Sequence, residues 1–187
     1  MRRSLAAVAL MAGIALPQTA AACQQLSANV WLCAGDSPWA SAEWDPYGDG
    51  ATLLLDDYVL NFTEEFPGAD IRDDLTTLEE QFVTYAELTE ADGNAPLAVE
   101  RQEGFDIPAG RAFRSLQRDR YDEVETVSAV MLAEVDVVRI MLWLDAPVTT
   151  SWTQIDAASL EVLESLRNIC ADPDKCAAPD QERVESE

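Results

Sequence analysis

The chain has 187 residues, with 35 acidic side chains against 12 basic ones and a formal net charge of −23. A surface that negative repels DNA, RNA and anionic lipid, so none of these is an expected partner. Histidine is absent altogether, which removes Ser-His-Asp and Cys-His catalysis and any zinc site built on imidazole; no Gly-rich phosphate loop and no G-x-S-x-G elbow occurs either.

The first element is a leader. Arg2 and Arg3 precede an apolar run from Leu5 to Leu16, Pro17 breaks it, and Ala20, Ala21 and Ala22 follow. This is the layout of a secretory signal peptide over residues 1–22. The run of about 12 residues is too short to span a bilayer, which takes roughly 20. The exported chain is expected to begin near Cys23, to be periplasmic or secreted from a bacterial cell, and not to insert into a membrane after cleavage. A lipoprotein signal also ends directly before a cysteine, but it usually carries Leu where Ala20 stands.

Four cysteines, Cys23, Cys33, Cys170 and Cys176, are an even number in an exported chain and read as disulfide-bonded. Three pairings are possible. Cys23–Cys33 and Cys170–Cys176 are favoured because each pair is close in sequence; loops of this size are worth about 2–3 kcal/mol each on the loop-entropy account. Lipidation of Cys23 is the competing use of that sulfur. No C-x-x-C motif supports a reactive thiol.

Val30 to Ala34 reads as a short strand. The segment from Asp45 to Gly50, "DPYGDG", has turn composition. Thr52 to Leu55 and Tyr58 to Phe62 read as strands around Asp56 and Asp57, and Pro67 with Gly68 breaks the pattern. Asp74 to Ala91 reads as a helix with Leu75, Leu78, Phe82 and Tyr85 on one face, and Thr77 with Glu80 has capping-box spacing. Strands follow over Leu97 to Phe105, Arg111 to Tyr121, Glu125 to Ala133 and Val137 to Leu144. In the last, Val138, Ile140, Leu142 and Leu144 point one way and Val137, Arg139, Met141 and Trp143 the other. Trp152 to Ile169 reads as a second helix with Ile155, Val162, Leu166 and Ile169 buried and Ser159 in the gap. Residues 177–187 lack apolar content and read as a disordered acidic tail. The expectation is one domain over 23–176 of α+β class: an antiparallel sheet with two main helices packed on it.

From about Trp44 to Ile169 this order resembles the PsbP-like superfamily, named for an extrinsic photosystem subunit. The resemblance is carried by "ATLLLDDYVLNFTEEF", the helix "DLTTLEEQFVTYAEL", "LAVERQEGFDIPAGRAFRSLQRDRY" with Gly110 ahead of its second strand, and "SLEVLESLRNIC". It implies a PsbP-like α+β binding or accessory module and no shared active site. The metal-binding histidines of the photosystem members have no counterpart here, so the resemblance implies no role in oxygen evolution.

Three groups are candidate sites. Asp45, Asp49 and Asp56 sit at positions 1, 5 and 12 of a calcium-loop pattern with Gly50 at position 6, although Tyr47 stands where a ligand belongs and Asp56 where Glu is usual. Six of the 12 basic residues lie between Arg101 and Arg139. Among them Arg114, Arg118 and Arg120 alternate onto one face, where guanidinium groups can grip a carboxylate or phosphate, or pair with Glu123, Glu125, Glu134 or Asp136. Trp31, Trp39 and Trp44 form either a stacking surface for a partner or an apolar anchor for the N-terminal segment; Trp143 and Trp152 read as core. No catalytic residue and no cofactor is expected. The leading expectation is an exported, non-enzymatic binding or accessory domain with an unknown protein or small-molecule partner, met on the concave side of the sheet or on the Trp-rich segment. The alternatives are a carboxylate-based hydrolase, with or without a divalent cation, and a membrane-tethered lipoprotein.

Overall fold

The computed structural model describes residues 23–47, 50–63, 77–91, 93, 95–121, 123–136 and 138–168. The leader over 1–22, the Pro67–Gly68 break, Leu75, Asp49, Cys170, Cys176 and the tail over 177–187 lie outside the described residues.

Seven antiparallel strands form the main sheet: β3 (Glu43–Tyr47), β4 (Gly50–Leu55), β5 (Tyr58–Phe62), β6 (Ala98–Ile107), β7 (Gly110–Tyr121), β8 (Val124–Val135) and β9 (Val138–Pro147), in the order β3-β4-β5-β9-β8-β7-β6. A second, three-stranded antiparallel sheet joins β1 (Cys23–Gln25), β2 (Val30–Cys33) and β10 (Leu166–Asn168) in the order β1-β2-β10. Among the described residues two α-helices complete the α+β fold, α1 (Leu78–Ala91) and α2 (Trp152–Ser165).

Tight hairpins set the register. Asp56, Glu123 and Asp136 take positive φ (50°, 69° and 57°) in the turns after β4, β7 and β8; Asp tolerates this region better than most side chains. Gly110 is required by contact as well as by its φ of 153°: a Cβ there would stand 2.1 Å from the Glu134 carbonyl oxygen. The β6–β7 turn therefore presses directly on β8.

Strand order explains the helix positions. β5 pairs with β9, whereas the next strand, β6, lies at the far edge beyond β8 and β7. α1 sits in this crossover and packs on one face of the sheet. α2 follows β9 and packs on the other face, then leads into β10 beside β2. The central strands are thus buried on both sides. Val127, Ala129, Met131 and Ala133 of β8, with Ile140, Leu142 and Leu144 of β9, join Ile155, Val162 and Leu163 of α2. Val130, Leu132 and Met141 meet Leu78 and Phe82 of α1. From Val138 to Leu144 the alternation expected along β9 is the one observed; Val137 lies outside the described residues.

Both helices start on capping boxes. Thr77 N–H donates to Glu80 Oε2 at 2.8 Å and Glu80 N–H to Thr77 Oγ1 at 3.1 Å. At α2, Ser151 N–H donates to Gln154 Oε1 at 3.0 Å and Gln154 N–H to Ser151 Oγ at 3.3 Å. α2 is shorter than its apolar stripe suggested. It stops at Ser165, and Leu166 begins β10 opposite Leu32. Leu166 is buried in the same core either way, so its apolar character does not distinguish a last helical turn from a short strand.

The Cys23–Cys33 disulfide is present and links residues directly opposite each other on β1 and β2. Among the described residues no helix is long and apolar enough to cross a membrane.

Candidate functional site

α1 roofs only part of its face of the sheet. At one end Phe82 stacks on Phe113 with ring centroids 5.0 Å apart, and Arg139 reaches up to Gln81 Oε1 at 2.6 Å while holding Glu134 Oε2 at 2.8 Å. Toward the other end Tyr85 packs against Trp143, whose rings lie 5.9 Å apart and whose indole N–H donates to the Tyr85 hydroxyl at 3.2 Å. Beyond this pair a cavity of about 660 Å³ opens on the sheet.

Four strands furnish it. β5 contributes Val59 and Asn61, β9 Trp143 and Asp145, β8 Val124, Thr126 and Val130, and β7 Gln117, Asp119 and Tyr121. Tyr121 and Val124, paired across the β7–β8 hairpin, are 75% and 63% exposed and form an apolar rim. The wall is aromatic and aliphatic; the floor is polar.

That floor is one connected strip. Ser115 Oγ donates to Gln117 Oε1 at 2.8 Å, and Gln117 Nε2 donates to both carboxylate oxygens of Asp119 at 2.9 and 3.0 Å. Ser128, fully buried, donates to Asp145 Oδ1 at 2.7 Å and stands 3.0 Å from Thr126 Oγ1. Asp119 is opposite Thr126 on β8, and Asp145 is opposite Ser128, so the two acids flank one strand. Ser128 interacts with both, yet a hydroxyl has a single proton to donate. Burial raises the Asp119 carboxyl above the usual range, with Gln117 and Ser128 partly offsetting it. Burial likewise raises Asp145, Ser128 offsets part of this, and the charge of Asp119 raises it further.

Of the described residues singled out from sequence as candidate sites, Arg120 reaches the cavity rim and the others go elsewhere. Arg114 does not face a ligand: its side chain is 1% exposed beneath α2. It donates to Glu103 Oε1 at 2.5 Å, Asp156 Oδ1 at 2.6 Å, Ser159 Oγ at 2.6 Å and the Asp156 carbonyl at 3.1 Å, and lies over Phe105. Its side of β7 is the side α2 covers, so intramolecular acids take the place of an external anion. Arg118 lies over the Trp152 ring at 5.8 Å, and Arg120, at the cavity rim, is paired with Glu125 at 2.5 Å.

The three tryptophans do not form one surface. Pro38–Ser41 makes a 3₁₀ turn that drives Trp39 into the core at 1% exposure, packed near Tyr58. Trp31 is half-buried on β2. Trp44 alone of the three is substantially exposed, at 41%, and stacks on Phe62. Of the calcium pattern, Asp45 lies on β3 opposite Thr52, and Asp56 lies in the turn after β4. Four residues along a strand is about 13 Å. Among the described residues no three acidic or cysteine side chains converge as a metal site would require.

Sequence reasoning missed Gln117, Asp119, Ser128 and Asp145; Trp143, expected in the core, packs against the core cluster under α1 and also lines the cavity. One signal was there: Gln117, Asp119 and Tyr121 continue the face of β7 on which Phe113 is apolar. Aligning that polar end with Ser128 and Asp145 requires the register of two hairpins.

The chain is thus an α+β domain with a large antiparallel sheet and a cavity on one face. No protein-family model matches it, and no curated protein matches it. Among solved structures, a protein from Bacteroides thetaiotaomicron VPI-5482 is similar over 75% of this chain and 48% of that one, at 12% identity and a TM-score of 0.39. The chain thus spans about half the length of that protein.

Proposed function

We propose that this chain is an exported, non-enzymatic binding or accessory domain, periplasmic or secreted, and PsbP-like in architecture, that holds a small ligand on the open part of its sheet. The cavity between Trp143, Tyr85 and the β7–β8 hairpin carries this reading. Its volume of about 660 Å³ falls within the range of roughly 300–1,000 Å³ typical of small-ligand sites. Apolar walls with a few convergent polar groups are what recognition needs, and here amide and hydroxyl groups hold the carboxyls in place. Export follows from the leader and fits the Cys23–Cys33 disulfide. The bond also occupies the sulfur that lipidation would consume, which argues for a soluble rather than a tethered form.

A fragment screen by NMR on the ¹⁵N-labelled chain tests this reading. Ligands that bind are expected to shift the Trp143 indole N–H and the Gln117 side-chain amide. Responses confined to other parts of the molecule would refute it.

One observation favours a second reading. Asp119 and Asp145 both face the cavity and both retain their protons more firmly than ordinary acids, as a carboxylate-based hydrolase requires of its general acid. Asp145→Asn separates the two: loss of turnover on a glycoside or ester panel at unchanged KM identifies an enzyme, and loss of affinity with no turnover in either form identifies a binder.

A further inference from the structure

Three acids that pack against the sheet, Glu103, Glu134 and Asp156, each hold a guanidinium. Asp119 and Asp145 differ: among the described residues neither has a cationic partner. Arg120 reaches the same rim but is held by Glu125. Half-buried carboxylates with no counter-charge are costly. The donor supply is short as well. Gln117 serves Asp119 and Ser128 serves Asp145 Oδ1, while Asp145 Oδ2 meets no donor among the described residues. Next to this deficit stand two aromatic rings, Trp143 and Tyr85, and the aliphatic side chains of Val59 and Val130.

We propose that the cavity takes an organic cation: an ammonium group seated between Asp119 and Asp145, with a hydrocarbon or aromatic body laid along Trp143, Tyr85 and Val130. This rests on the binding reading above and adds the ligand's chemistry to it. An ammonium brings three donors and one positive charge, which the floor lacks. The ring faces of Trp143 and Tyr85 also favour a cation and accept an apolar body. The volume exceeds what a bare metal ion needs. A carboxylate ligand would be repelled, and a neutral one would leave both acids uncompensated. The strongly negative surface draws cations toward the site from a distance.

Among the described residues, the ionisable side chains lining the cavity are Asp119, Arg120 and Tyr121 from β7, Asp145 from β9 and Tyr85 from α1. An ammonium competes with protons for the two carboxylates, so its affinity rises with pH as they deprotonate.

The test titrates the ¹⁵N-labelled full exported chain near neutral pH with four probes: phenethylamine, 2-phenylethanol, 3-phenylpropionate and calcium chloride. Phenethylamine is expected to shift the Trp143 indole and Gln117 amide signals and to bind about 10-fold or more tightly than 2-phenylethanol. 3-Phenylpropionate and calcium should leave these signals unmoved. In Asp119→Asn/Asp145→Asn the preference for the amine should disappear while the alcohol still binds. The wild-type amine-to-alcohol ratio decides the matter even if the double variant fails to fold. Equal binding of amine and alcohol, tighter binding of the acid, or calcium shifting the same signals overturns the cation assignment and leaves a ligand cavity. No response to any probe overturns the cavity reading with it.

Discussion

Under α2, Arg114 is enclosed by the sheet and helix, and two carboxylates, a hydroxyl and a backbone carbonyl accept its hydrogen bonds. On the opposite face, beyond the reach of α1, Asp119 and Asp145 share one serine and have no cation among the described residues. Both regions place charge on neighbouring stretches of one strand, β7. The difference is what covers them. A helix supplies Asp156 and Ser159 to the first, so its charge is balanced within the fold. The second opens into a cavity, so its balance has to come from a bound proton or a ligand. The same physics makes the first region structural and the second a site.

The largest test of this contrast is Arg114→Ala. It leaves Glu103 and Asp156 with the more exposed Arg101 as their remaining counter-charge among the described residues and opens a void under α2, and removal of one member of such a buried network should cost about 3 kcal/mol in urea unfolding; Arg114→Met should recover part of that by filling the void. A loss below about 0.5 kcal/mol for the alanine variant would show that the network is solvated and the contrast is not real.

Opposite pH dependences sharpen the comparison. Burial acts against ionisation of Asp156, but hydrogen bonds from Arg101 and the charge and hydrogen bond of Arg114 outweigh it, so its carboxyl lies below the usual range. Its contribution is present above the unfolded pKa of about 3.9 and is lost as pH falls through the lower folded value. Asp119 and Asp145 are raised, so their contribution is fully present below about 3.9 and is lost as pH rises through the folded values. Asp119→Asn/Asp145→Asn should therefore gain stability over the parent at neutral pH, with the difference closing toward strong acid. A melting-temperature difference that stays constant across pH would contradict the assignment.

The smallest effect belongs to the rim. Arg120 and Glu125 are both largely exposed, and Arg120→Ala should change stability by less than about 1 kcal/mol. The same variant should bind phenethylamine at least as well as the parent, because it removes a positive charge from the cavity mouth; marked loss of binding would place Arg120 in the site itself.

Much of the architecture was legible because it is local. The apolar face of α1 through Leu78, Phe82 and Tyr85, the Thr77–Glu80 capping box and the inward and outward halves of β9 follow from periods of 3.6 and 2. Ser159, the gap in the stripe of α2, is where Arg114 donates, although a stripe cannot say what fills its gaps. The N-terminal region was harder. β1, β3 and β10 are three to five residues long, too short for alternation to register, and turn composition between Asp45 and Gly50 concealed β3.

The sequence by itself determined the absence of histidine and the strongly negative net charge, and it favoured the pairing of Cys23 with a partner ten residues away that the structure shows, since composition and short loops need no distant contact. Tertiary structure alone decided which charges are matched. Arg114 and Asp119 are five residues apart on one strand, and strand alternation sends them to opposite faces; only the placement of α2 over one face and the incomplete reach of α1 over the other gives the first a set of internal partners and leaves the second facing a cavity.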